Sequence, residues 1–165
     1  MNLFRAIAIS MVCACLSLSA KATTTKISIT GEVLPETCDI DMQQLNQTID
    51  LGDYSVTDFK QTGSVTKSVP FSLAMTNCTL GITSAKMRFG GRSLSGGLFS
   101  LGGGEMIGLE LLNASGEQIR PNTATTFALK GGDNKLDFAM RLKSLRNPVT
   151  PTVLNATLTM DIEYE

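Results

Sequence analysis

The chain contains no histidine and no tryptophan, and only four cysteines among its 165 residues. Without an imidazole, a serine or cysteine triad and a histidine-liganded metal site are both excluded. Basic and acidic side chains nearly balance, 14 against 15, and are scattered with no basic face. Nucleic acid and anionic membrane are therefore not expected as partners. No segment of useful length carries an apolar repeat of 3.6 residues, which argues against amphipathic helices, and past Leu18 no run is long enough to span a membrane. The glycine clusters at Gly90-Gly91, Gly96-Gly97 and Gly102-Gly103-Gly104 lack the lysine and the strand-turn-helix setting of a phosphate loop, so they read as turns. Internal repeats and low-complexity linkers are also missing. No cofactor and no small-molecule substrate is implied.

What is present begins with a secretion signal. Arg5 is followed by an apolar run from Ala6 to Leu18 and by the small-residue stretch Ser19, Ala20, Lys21, Ala22. That pattern predicts a signal peptide over residues 1–22, with cleavage after Ala22. Cys13 and Cys15 leave with it, and in an oxidising compartment Cys38 and Cys78 then have only each other. A bridge closing a loop of about 40 residues stabilises a fold by about 4 kcal/mol in the chain-entropy model.

The mature chain alternates with a period of two, which predicts an almost wholly β domain. Phe71, Leu73 and Met75 alternate with Ser72, Ala74 and Thr76 on the way to Cys78, and Pro70 suits the start of that strand. Ile107, Leu109 and Leu111 share a face, followed by a turn at Asn113-Ala114-Ser115-Gly116. Leu136, Phe138, Met140 and Leu142 form a third face opposite Asp137, Arg141 and Lys143, after a turn at Gly131-Gly132-Asp133-Asn134. Each reads as a sandwich strand with one buried face. Carboxylate pairs such as Asp39/Asp41 and Asp161/Glu163 sit at period two, where a solvated strand face is expected rather than acid-base chemistry. No enzyme is expected.

Two segments stand apart. At the C-terminal end Ala156, Leu158, Met160, Ile162 and Tyr164 alternate with Thr157, Thr159, Asp161, Glu163 and Glu165. Such a strand expects a core on one side and solvent on the other, and its edges must be paired or guarded. Near the N-terminus Ile27, Ile29, Gly31 and Val33 alternate with Lys26, Ser28, Thr30 and Glu32. By pattern this segment is most simply the first strand of the domain's own sheet, and the alternative is a strand lent to another molecule.

Those segments, with Thr37-Cys38-Asp39-Ile40, Leu51-Gly52, Val69-Pro70-Phe71-Ser72-Leu73, Cys78, Gly108-Leu109-Glu110-Leu111-Leu112, Leu136-Asp137-Phe138-Ala139 and the ending at Tyr164, resemble type 1 fimbrial subunits of the chaperone-usher class. The likeness spans the mature chain and is nearest to minor, tip-proximal adaptor subunits. It implies an incomplete immunoglobulin-like sandwich, the pilin fold, lacking its last strand and closed by one disulfide. It further implies a structural pilus subunit that polymerises by donor-strand exchange and contributes to bacterial adhesion. The partners implied are a periplasmic pilus chaperone, an outer-membrane usher and neighbouring pilins, in a subunit exported through the periplasm to a surface fimbrium. Donor-strand complementation is a form of β-augmentation, in which main-chain hydrogen bonds give affinity and side-chain pockets give specificity.

On this reading residues 1–22 are the signal peptide, 23–36 a donor-strand extension and 37–165 the pilin domain. Ile27, Ile29, Gly31 and Val33 would enter a neighbour's groove, while Ala156, Leu158, Met160, Ile162 and Tyr164 would border this subunit's own groove and meet the chaperone. Residues 23–33 can reach about 36 Å when extended, enough for a full sandwich strand. The sequence departs from the family at Thr150-Pro151-Thr152-Val153, where a glycine usually follows the proline. The rival is a secreted monomeric β-sandwich that binds carbohydrate or protein and keeps its N-terminal strand for itself.

Overall fold

The computed structural model describes residues 37–165, apart from 42, 43, 45 and 103. Residues 1–36, with the expected signal peptide and donor extension and its residues Ile27, Ile29, Gly31 and Val33, lie outside the described residues.

Ten strands make up the described domain: β1 (Asp39–Ile40), β2 (Val69–Cys78), β3 (Ser84–Gly90), β4 (Ser93–Leu94), β5 (Leu98–Ser100), β6 (Ile107–Asn113), β7 (Gln118–Ile119), β8 (Ala124–Ala128), β9 (Gly132–Ser144) and β10 (Thr159–Tyr164). Every pairing among them is antiparallel, and they form two sheets. The larger runs β1-β2-β9-β6-β5-β4, with β7 also pairing β6; the smaller runs β10-β3-β8. Short 3₁₀ turns interrupt the chain, and the one at Val56–Asp58 is fixed by Ser55 and Asp58, which cap each other's backbone amides.

The core lies between the sheets. Leu73 and Met75 from β2, Leu109 and Leu111 from β6, and Phe138 and Leu142 from β9 face Ala85, Met87 and Phe89 from β3. The two-residue alternation seen in the sequence puts these side chains on one side of each strand. Phe138 holds the layers together: it stacks on Phe71 at 5.1 Å and meets Phe89 and Phe127 edge-on, each at 5.5 Å. These are the offset and edge-to-face geometries that aromatic quadrupoles favour. The Cys38–Cys78 disulfide ties the start of the domain to the end of β2.

On β6 the structure departs from the expectation of one buried face. Glu110 and Leu112, on its other side, are also buried. The strand is interior to its sheet, between β5 and β9, and its neighbours close over it. Leu98 packs so tightly on Gly108 that a methyl group there would collide with it. Arg141 Nε and Lys143 Nζ reach Glu110 at 2.5 and 2.9 Å.

Candidate functional site

A cleft of about 1580 Å³ opens between the sheets. Its floor is core: Leu73, Phe89, Leu109, Phe138 and Leu142 are buried residues that also line it. One rim is the stretch from Thr150 through Leu158 to Met160, and the other includes Ile49, Leu51 and Tyr54. Among the described residues the only backbone bond between main-chain groups made by residues 150–158 is Asn155 N–H to the Leu101 carbonyl, at 3.0 Å. Ile49 and Leu51 lie outside any strand and are half-buried.

The hydrogen-bond register of β10 defines the edge. Ser84 and Glu165 exchange two backbone bonds, each of 2.9 Å. In an antiparallel ladder such pairs alternate with pairs that exchange none. Counting back along β10, Glu163, Asp161 and Thr159 bond to β3, while the N–H and C=O groups of Tyr164, Ile162 and Met160 point away from it. β10 has no second partner strand among the described residues. Met160, Ile162 and Tyr164 therefore offer two things at once: side chains packed against the core and main-chain groups aimed at an open edge.

The two ends of the edge differ. At the disulfide end the Tyr164 hydroxyl donates to the Cys38 carbonyl over 3.5 Å, linking β10 to the chain entering β1. Burial pushes that phenol above its ordinary pKa. Beyond Tyr164, the Glu165 carbonyl accepts from Thr83 N and Ser84 N, and its side chain pairs with Lys86. Toward the other end, Leu154 and Leu158 border the open cleft and Val153 is fully out in solvent.

Of the residues the sequence assigns to the groove edge, Met160, Ile162 and Tyr164 lie on β10. Ala156 and Leu158 lie just ahead of it, because the partner strand β3 ends at Gly90, opposite Thr159. Without a partner the alternation continues in sequence but not as a ladder. Cys38 and Cys78 are bonded as expected from compartment and parity. The opposite rim was not legible in the sequence. Its available signal was weak: Ile49, Leu51 and the nearby Tyr54, amid polar residues.

Among the described residues, the sandwich has a sheet edge without a partner strand beside an apolar cleft, an arrangement suited to adding a strand. Comparison with known proteins identifies the family. The family profile described as "Fimbrial protein" matches residues 27–165, and the chain belongs to that family. It is 30% identical to the uncharacterized fimbrial-like protein YcbU of Escherichia coli, over 83% of this chain and 82% of that one. It is 29% identical to the S-fimbrial protein subunit SfaG of Escherichia coli, over 84% and 82% of the two chains. Among solved structures, the P pilus rod subunit PapA superposes with a TM-score of 0.66 at 22% identity, covering 78% of this chain and 99% of that one. A chain from the structure of a chaperone-usher pilus gives 0.69 at 20% identity, covering 88% and 98%. The fold is thus the pilin fold. The family is one of structural pilins and not of enzymes, and this chain is a structural subunit of a fimbria, exported and assembled with neighbouring pilins at the cell surface.

Proposed function

We propose that the cleft is the acceptor for residues 23–36 of a neighbouring subunit in a chaperone-usher pilus, with Ile27, Ile29, Gly31 and Val33 entering it. The observation that carries this reading is the coincidence, at Met160, Ile162 and Tyr164, of inward side chains with outward main-chain groups that meet no strand among the described residues. A strand laid along that edge would satisfy the main chain and cover apolar surface in one step, with each apolar residue worth about 1.5–3 kcal/mol when fully buried. Gly31 suits a point where the incoming backbone must approach closely, since it has no Cβ. Before assembly a periplasmic chaperone would lend its own strand to β10, and an outer-membrane usher would oversee the exchange. The domain boundaries on this reading are residues 1–22 for the signal, 23–36 for the donor and 37–165 for the acceptor domain.

The test is a chain lacking residues 23–33. It is expected to form no fibre, and to stay soluble only when a chaperone or a donor peptide is supplied. A truncated chain that folds as a stable monomer unaided would refute the acceptor reading and favour a free-standing binding module.

A further inference from the structure

The outer face of β10 carries a charge pattern that an apolar cleft does not require. Asp161, Glu163 and Glu165 occupy successive outward positions and are exposed. Glu165 is engaged by Lys86 and, at 3.4 Å, by the Ser84 hydroxyl. Asp161 and Glu163 have no ion-pair or side-chain hydrogen-bond partner among the described residues, and Arg88, opposite Asp161 in register, does not pair with it. Glu163 lies opposite Lys86, whose pKa is raised by Glu165 and in part by the charge of Glu163, but Lys86 makes its close ion pair with Glu165. Two carboxylates outside any close ion pair thus border the lane in which an added strand would lie. Side chains directly opposite across such a pairing have Cβ atoms about 4.5–5.5 Å apart, and diagonal neighbours stay within reach of a long side chain.

The proposed donor segment is charged in a matching way. The alternation that gathers Ile27, Ile29, Gly31 and Val33 on one face puts Lys26, Ser28, Thr30 and Glu32 on the other. Its outward face is positive at one end and negative at the other. We infer that Asp161 and Glu163 fix the seating of residues 23–36 from a second copy of this chain, by holding Lys26 beside them. The inference rests on the acceptor reading of the cleft.

With Lys26 opposite Asp161 and diagonal to Glu163, Glu32 falls opposite Asn155, away from both carboxylates. Ile27, Ile29 and Gly31 then come opposite Met160, Leu158 and Ala156, all of which line the cleft. The reversed seating brings Glu32 against the two carboxylates, and like charges directly opposite destabilise a sheet pair. Apolar complementarity alone discriminates weakly among seatings offset by two residues, since each keeps the same face inward. The charges separate them.

The experiment follows fibre assembly of the full mature chain by sedimentation and light scattering at low ionic strength. It compares wild type with Lys26→Glu, with Asp161→Lys/Glu163→Lys, with the combination of all three, and with Glu32→Lys. Each charge reversal alone should slow assembly by about three- to tenfold, the scale of a few exposed charge contacts, and by less in high salt. The combined variant should return to within about twofold of wild type, while Glu32→Lys should change the rate by less than about twofold. Rescue in the combined variant also rules out misfolding as the cause of the single effects. A combined variant no faster than its parents, or reversals without effect in a chain that still assembles, overturns the inference and leaves strand addition standing. Faster assembly by Glu32→Lys, matching relief of repulsion, would instead indicate the reversed seating. Assembly that persists after deletion of residues 23–33 overturns the acceptor reading itself.

Discussion

Phe138 and Glu110 sit on opposite faces of the larger sheet and show how differently single residues bear on this molecule. Phe138 touches three other rings and also floors the cleft. Its replacement by alanine should cost about 3–5 kcal/mol, measurable by urea denaturation, through lost contacts and the void left behind. Glu110 is a buried carboxylate between two cations. Burial alone would raise its pKa, but the hydrogen bonds from Lys143 and Arg141, and then their charges, outweigh it and hold the carboxyl below its ordinary value of 4.5. A group depressed in this way contributes stability that is fully present above the unfolded-state pKa and is lost as pH falls through the lower folded one. Glu110→Gln should therefore lower stability by about 1–2 kcal/mol at neutral pH. That difference should shrink as pH falls below the ordinary value of 4.5 toward the lower folded-state one. Equal differences at pH 7 and pH 3 would show that the charge plays no part.

At the scale of elements, β10 is the informative strand. Its outward-pointing amides at Met160, Ile162 and Tyr164 should exchange with solvent quickly in the chain without a donor, while those of Thr159, Asp161 and Glu163 are protected by β3. A bound donor peptide should slow the first set and leave the second little changed, as read by hydrogen exchange at residue resolution. Uniform protection across β10 before any peptide is added would mean that the edge is already paired. The faces of β2, β9 and β10 were legible in the sequence because each strand alternates apolar with polar side chains. The start of β10 was not, since Ala156 and Leu158 keep the alternation while β3 gives out at Gly90. The burial of Glu110 was equally hidden, because Arg141, Lys143 and Leu98 are distant in sequence and reach it or its neighbour Gly108 only through sheet pairing. The rim at Ile49 and Leu51 stayed obscure for a related reason: it forms no strand, so its short alternation has no ladder behind it.

At the scale of the described domain, a closed end contrasts with the side along β10. At the closed end the Cys38–Cys78 bond, the Tyr164 hydroxyl and the contacts of Glu165 gather the start and finish of the domain. Removing the bond by Cys38→Ala/Cys78→Ala should cost about 2–5 kcal/mol, read as a lower denaturation midpoint. Along β10 the sandwich leaves core residues at the floor of a cleft and main-chain groups that have no partner strand among the described residues, the features that the proposed donor of a neighbouring subunit would satisfy. The most direct test moves residues 23–36 to the C-terminus through a short linker, so that the chain can fill its own cleft, and compares its thermal unfolding with that of the original chain as a dilute monomer. A folded monomer that unfolds at least about 10 °C higher, the shift expected for several kcal/mol in a domain of this size, is the result this account requires. An unchanged Tm, or a transplanted chain that still polymerises as readily as the original, would contradict it.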